Sequence, residues 1–107
     1  MAECHYRKDA VSKLGKLYQL KPEILQAFMN FDGKVFAEGD LSAKIKELIA
    51  VACAHVTQCP YCIEGHTKRA KKAGAADEEI AEAIFVAAAM RTGGSMAHSS
   101  IAMDALE

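Results

Sequence analysis

The segment SAKIKELIAVACAHVT, residues 42–57, restricts the possible folds most, because it is apolar around nearly its whole circumference when drawn as a helix. Ser42 is a suitable N-cap for this helix. One predicted core face has apolar residues at helical spacing, at Ile45, Leu48, Ile49, Ala52 and Val56. The opposite side is also apolar, with Ala50, Val51 and Ala54 around Glu47. A helix that is apolar on all sides needs several neighbours, so the segment predicts a central, buried helix.

The rest of the sequence also favours helices, since it lacks long alternating strand patterns and contains only two prolines. The second helix carries an apolar stripe at Ile24, Leu25, Phe28, Phe31 and Val35. We predict an all-α fold class, with a single compact helical domain over residues 1–107. About six helices are expected: Lys8 to Tyr18, one from Pro22, one from Ser42, Pro60 to Gly74, Asp77 to Arg91 and, after a break at Gly93 and Gly94, a short helix to Leu106.

The composition is that of one globular domain, with 107 residues of which 51% are hydrophobic and 25% charged, and a net charge of -1. The surplus of apolar helix faces predicts a homo-oligomer. A chain with this charge balance has no excess of positive charge to attract nucleic acid or an anionic membrane surface. We interpret the basic residues of the fourth helix as its solvated end: Lys68, Arg69, Lys71 and Lys72.

The expected location of the protein is the cytoplasm. The N-terminal sequence is polar and predicts no signal peptide, and no apolar segment reaches the length of a membrane span. Four cysteines without an export signal favour metal binding or redox chemistry over a scaffold of disulfides.

The Cys-x-x-Cys pair, Cys59 and Cys62, is the candidate chemical centre. We expect Cys59 to be the N-cap of the fourth helix and Cys62 to lie in its first turn, where the helix dipole favours a thiolate. His66 lies one turn beyond Cys62 on the same side. Glu47 is a carboxylate in apolar surroundings and needs a partner, which His66 supplies if the third and fourth helices are neighbours.

The stretch KELIAVACAHVTQCPYCIEGHTKRAKKAGA resembles the AhpD-like alkylhydroperoxidases of the carboxymuconolactone decarboxylase superfamily. Their signature is a glutamate, eleven intervening residues, Cys-x-x-Cys, three residues and a histidine. This chain matches it at Glu47, Cys59, Cys62 and His66. The similarity extends from about Leu41 to the glycines at 93 and 94, which is most of the domain.

The resemblance implies an all-helical fold and a dithiol cycle, and we expect a thiol peroxidase without a bound cofactor or metal. In the family's cycle the second cysteine, here Cys62, attacks a hydroperoxide and becomes a sulfenic acid, which Cys59 resolves as a disulfide. Glu47 and His66 serve as the proton relay. An external dithiol reductant, lipoyl or thioredoxin-like, restores the thiols, and single-domain members are commonly homotrimers or homohexamers.

Tyr61 is the main departure from the family pattern. The best-known peroxidase of the family has a histidine at this position, directly before its second cysteine. A phenol does not replace an imidazole as a base, but it can donate a hydrogen bond to a thiolate or a peroxide. Tyr61 is therefore expected to support the site.

Two other functions remain open. A carboxymuconolactone-type decarboxylase is disfavoured, because its chemistry does not call for a redox dithiol. A non-catalytic helical oligomer would instead sense oxidant or bind metal through its cysteines. Zinc would need Cys59, Cys62 and His66, with a fourth ligand from His55, Cys53, Cys4 or His5, and the usual second ligand pair is absent from the sequence.

The remaining cysteines and histidines have simpler interpretations. Cys53 is expected to be a small buried hydrophobe on the third helix, and Cys4 to lie in a mobile terminus. His55 is interpreted as a packing or surface residue. His98 has the same interpretation, although it follows the predicted break and is placed to approach the site from a neighbouring helix or subunit.

Overall fold

The computed structural model describes residues 9–107, and every regular element in that range is helical. A 3-10 helix at Ala10–Lys13 leads into α1. The α-helices are α1 (Leu14–Leu20), α2 (Pro22–Phe36), α3 (Ala43–Thr57), α4 (Pro60–Lys72) and α5 (Asp77–Ala105). The all-α fold class is confirmed, with five α-helices among the described residues where about six were expected for the chain.

The difference in number arises at Gly93 and Gly94, where the predicted break is wrong. α5 continues through both glycines to Ala105. Each glycine costs a helix only about 1 kcal/mol relative to alanine, and the alanines and methionines around the pair restore that loss. A pair of glycines is therefore compatible with a helix of this length.

The first helix is also shorter than predicted. It begins at Leu14 after the 3-10 helix and ends at Leu20, whereas the sequence suggested Lys8 to Tyr18; Lys8 lies outside the described residues. Lys21 leaves the helical region, with φ -142° and ψ 69°. A residue that precedes proline is forced towards extended backbone, so Pro22 separates α1 from α2.

The predicted starts of the next three helices are confirmed. α2 and α4 begin at Pro22 and Pro60, where a proline loses no helical hydrogen bond. Ser42 caps α3, since its hydroxyl oxygen accepts the Ile45 N–H at 3.2 Å. After α4, Gly74 makes the left-handed turn towards α5, with φ 100°.

The core lies where α3 packs against α4 and α5. Its buried members are Val51, Ala70, Ala75 and Ile80, with Leu48 and Ile84 packed beside them. The buried side of α3 therefore carries Glu47, Val51 and Ala54. The predicted core face is wrong for the single chain, because Ile45, Ile49 and Val56 are exposed by 43%, 48% and 44%.

Much apolar surface remains uncovered. The stripe of α2 is exposed, with Phe28 at 59% and Phe31 at 66%, and so is the second half of α5 at Met96 and Ile101. The accessible surface is 8420 Å², whereas a folded monomer of this mass exposes roughly 5,800 Å². The surplus is typical of a chain that completes its packing with other subunits. Within residues 9–107, none of the helices combines the length and apolar character needed to cross a membrane.

Candidate active site

The two cysteines of the Cys-x-x-Cys pair lie at the junction between α3 and α4. α3 ends at Thr57, and its C-cap Gln58 adopts the left-handed conformation with φ 59° and ψ 48°. This tight exit allows the Cys59 N–H to donate to the Ala54 carbonyl oxygen at 3.2 Å. Cys59 is the N-cap of α4, as expected, and its Sγ accepts the backbone N–H of Cys62 at 3.3 Å.

The side chains of Cys59 and Cys62 are hydrogen-bonded to each other, so their ionisations are linked. Both cysteines are free. Hydrogen bonds from the Cys62 side chain and backbone N–H hold the pKa of Cys59 below its ordinary value of 9.0. Donation to Cys59, burial and the charge on Cys59 together raise the pKa of Cys62 to about 11. Of the two thiols, Cys59 is therefore the one that ionises at lower pH, whereas the sequence suggested Cys62 in the first turn.

This arrangement predicts a stepwise titration of the pair. A lowered pKa populates the Cys59 thiolate at lower pH than in an ordinary thiol, whereas a raised pKa delays the Cys62 thiolate until about pH 11. In protein carrying Cys4→Ser and Cys53→Ser, thiolate absorbance should rise in two separate steps, and alkylation at neutral pH should modify Cys59 first. Cys62→Ala should move the first step back towards pH 9. Two thiolates that appear together near pH 9 would contradict this assignment.

The expected contact between Glu47 and His66 is present. Glu47 is 4% exposed, on the side of α3 that faces α4, and its Oε1 lies 2.7 Å from His66 Nδ1. The Nδ1–H donates to the carboxylate, which leaves Nε2 as the nitrogen available for proton transfer. A buried carboxylate with such a partner fixes both the orientation and the tautomer of the imidazole.

Arg69 is a member of this cluster that the sequence analysis missed. Its Nη2 lies 2.9 Å from Glu47 Oε2, so the carboxylate binds an imidazole with one oxygen and a guanidinium with the other. Arg69 is 48% exposed in the last turn of α4, as the interpretation of a solvated helix end required, but that interpretation did not include its ion pair with Glu47. The spacing of His66 and Arg69, one turn apart on α4, was the available signal, since such residues share a helix face.

Phe36, at the end of α2, completes the cluster. Its ring stacks on the His66 ring with centroids 5.0 Å apart, and the Arg69 guanidinium carbon lies 4.9 Å from the Phe36 centroid. Glu47, His66, Phe36 and Arg69 thus form a closed ring of contacts from three helices. No sequence pattern pointed to Phe36, because its contacts are far away along the chain.

An apolar cavity of about 450 Å³ opens beside this cluster. Cys62 and His66 line it, whereas Cys59 does not. The other lining residues are mostly apolar and come from α2 and α3, including Val35, Ile49 and Ala54. A volume of this size suits a small organic ligand. Cys53 lines the same cavity and is exposed, so its prediction as a buried hydrophobe is wrong for this chain.

The other candidate site residues do not line this cavity. Tyr61 is half-buried in the first turn of α4. The ring nitrogens of His55 and His98 pair with carbonyl oxygens one turn back in their own helices, at 2.8 and 2.7 Å. Among residues 9–107, no three His, Cys, Asp or Glu side chains are grouped closely enough to hold a metal ion. Cys4 and His5, two of the suggested zinc ligands, lie outside that range.

The family profile that matches this chain is that of the carboxymuconolactone decarboxylase family, over residues 22–105. The chain belongs to this family. The match covers α2 to α5 and therefore includes the cysteine pair, the Glu47 cluster and the cavity. The family resemblance suggested by the sequence is confirmed.

Several known proteins are similar to this chain along most of their length. The chain is 49% identical over 98 residues to the uncharacterized protein 4 in the cox locus of Paracoccus denitrificans, covering 92% of this chain and 88% of that protein. A Legionella pneumophila family protein is 35% identical with a TM-score of 0.75, over 92% and 88% of the two chains. A Thermotoga maritima family protein, for which an antioxidative role has been suggested, is 29% identical with a TM-score of 0.57, over 78% and 95%.

Proposed function

We propose that this protein is an AhpD-like thiol peroxidase that reduces organic hydroperoxides through a cycle of Cys62 and Cys59. The observation that carries the proposal is that Cys62 and His66 line one apolar cavity, while Cys59 pairs with Cys62 from outside that lining. A hydroperoxide in the cavity meets the Cys62 sulfur beside the His66 imidazole, and the Cys59 sulfur stays within reach of Cys62. The antioxidative role suggested for the Thermotoga maritima relative agrees with this chemistry.

The proposed reaction begins with a proton shift within the cysteine pair. Cys62 gives up its thiol proton, to Cys59 or to His66 Nε2, and its thiolate attacks the distal oxygen of the hydroperoxide. The O–O bond breaks, Cys62 becomes a sulfenic acid, and the alkoxide takes a proton and leaves as an alcohol. The Cys59 thiolate then attacks the Cys62 sulfur, forming the disulfide and releasing hydroxide, which is protonated to water. Two thiols are oxidised while one hydroperoxide is reduced.

The Glu47 cluster has a positioning role in this scheme. Glu47 keeps the Nδ1 proton of His66 in place, so that Nε2 serves as the base and then returns the proton to the leaving oxygen. Arg69 holds the second carboxylate oxygen, which prevents Glu47 from rotating away. Tyr61 is proposed to donate a hydrogen bond near the sulfurs.

The cycle closes when an external dithiol reduces the disulfide. A lipoyl or thioredoxin-like dithiol is the proposed reductant, and the cytoplasm, where such donors are kept reduced, is the proposed location. Cys59 is the natural point of exchange, since it stands outside the cavity lining. Substrate and reductant would then approach the pair from different sides.

We also propose that the protein assembles into a homotrimer or homohexamer through the exposed face of α2 and the second half of α5. Sedimentation or light scattering at micromolar concentration should give a mass of three or six chains. Phe28→Glu places a charge in the apolar stripe and should dissociate the assembly, whereas Gln26→Glu, at another exposed position of α2, should leave it intact. A wild-type monomer at this concentration would overturn the proposal.

The function itself is tested with fully reduced protein and a small excess of cumene hydroperoxide. The expected result is rapid loss of two thiols and a decrease in intact mass of about 2 Da, with one cumyl alcohol formed per chain. Repeated turnover should require added dithiol. A disulfide that forms without turnover would instead favour an oxidant sensor, and unreacted thiols would remove the peroxidase assignment.

A further inference from the structure

Lys46 is the one lysine or arginine among the described residues that line the cavity beside Cys62. The lining is otherwise apolar apart from Thr57, His66 and the thiols of Cys53 and Cys62, and none of the lining residues is acidic. A lysine is an unusual member of an apolar pocket, because its charge loses hydration there unless something compensates for it. The cavity is therefore suited to a ligand that carries a negative charge as well as an apolar part.

Lys46 is held in place without being neutralised. Its Nζ donates to the carbonyl oxygen of Ala37, just after α2, at 2.6 Å, and the residue is half-buried. An ammonium has three N–H donors, so two remain for a ligand. The structure records no carboxylate in an ion pair with Lys46 among residues 9–107, although neighbouring Lys44 pairs with Glu79 at 2.9 Å and Arg69 pairs with Glu47.

The length of the cavity indicates how long a ligand it can hold. Along α3 the lining runs from Lys46 to Thr57, which corresponds to roughly 16 Å of helix. An apolar trough of this length, with a cation at one end of the α3 segment, matches an amphipathic molecule with an acyl chain and a single anionic group. A small uncharged peroxide would leave the ammonium unused.

We infer that the cavity selects hydroperoxides that carry a carboxylate on an apolar chain, as oxidised fatty acids do, and that Lys46 binds the carboxylate. This rests on the proposed function for the reaction at Cys62, but carboxylate recognition does not itself require turnover. An ammonium–carboxylate hydrogen bond in a partly desolvated site is expected to contribute about tenfold in affinity. The remaining selectivity comes from burial of the acyl chain.

The kinetic test compares a medium-chain fatty acid hydroperoxide with its methyl ester, which differs only in charge. The wild type should prefer the acid by about tenfold in kcat/KM. Lys46→Met and Lys46→Gln should abolish this preference by lowering kcat/KM for the acid to the value found for the methyl ester. Glutamine retains a donor for the Ala37 carbonyl, so agreement of the two variants excludes a folding effect. Lys44→Met, on the same helix but outside the cavity lining, is the matched control and should keep the preference.

A binding measurement separates this inference from the proposed function. Calorimetry with reduced protein should show octanoate binding about tenfold tighter than 1-octanol, and Lys46→Gln should remove the difference. If this preference is present while no hydroperoxide is consumed, carboxylate recognition stands and the peroxidase proposal fails. Equal binding of the two ligands, or a preference unchanged in Lys46→Gln, overturns the inference whether or not the enzyme turns over.

Discussion

Replacing Cys62 with serine is expected to abolish the reaction with hydroperoxides, lowering the rate by more than about a thousandfold. A serine hydroxyl is not ionised near neutral pH and is a far weaker nucleophile than a thiolate. Cys59→Ser should behave differently, because Cys62 still reacts but lacks its partner. That variant should stop at a sulfenic acid, with a mass increase of about 16 Da after one addition of hydroperoxide.

The control for both cysteine variants is Cys53→Ser. Cys53 lines the same cavity and is exposed, so it reports whether any accessible thiol can perform the reaction. We expect this variant to keep wild-type activity. Because the pKa of Cys59 is the lowered one, the informative contrary result is a reversal, in which Cys59 forms the sulfenic acid and Cys62→Ser remains reactive. The roles of the two cysteines would then have to be exchanged.

Removing the charge of Glu47 is expected to have the second largest effect. Glu47→Gln preserves the shape of a side chain that is 4% exposed but replaces the carboxylate that holds His66 and Arg69. Loss of an oriented base should lower kcat/KM for cumene hydroperoxide by about a hundredfold, mainly through kcat. Activity within twofold of the wild type would exclude a relay through Glu47.

Arg69 provides the matched variant for this cluster, because it touches Glu47 but does not line the cavity. Arg69→Gln should reduce kcat for cumene hydroperoxide by less than Glu47→Gln, because Glu47 still accepts the His66 Nδ1–H when the guanidinium is removed. Arg69→Lys keeps a cation at this position and should restore most of the wild-type kcat. Arg91→Gln, which removes a guanidinium that binds the Val56 carbonyl oxygen instead, should leave kcat unchanged.

Local signals in the sequence predicted the parts of the fold that depend on local chemistry. Ser42, Cys59, Pro22 and Pro60 each mark a helix start, because capping and the missing proline N–H act over a few residues. The break at Gly93 was wrong for a related reason: helix propensity is a weak preference that neighbouring residues outweigh.

Features that depend on helix packing were harder to predict. The periodicity of α3 showed apolar residues on all sides, but it did not show which side the chain itself covers and which side it leaves exposed at Ile49 and Val56. The contact between Glu47 and His66 could be predicted from the residue types, since a carboxylate in apolar surroundings requires a partner. Phe36 reaches the cluster from another helix, so nothing in its local sequence identified it.

The hydrogen bond between Cys59 and Cys62 also bears on the redox balance of the proposed cycle. Hydrogen bonds from Cys62 lower the pKa of the Cys59 thiol, whereas the pKa of the Cys62 thiol is raised to about 11. Any stabilisation of the Cys59 thiolate favours the dithiol over the disulfide, and a stabilised dithiol makes the corresponding disulfide more oxidising. In the proposed cycle this asymmetry would favour the transfer of electrons from an external dithiol to the disulfide.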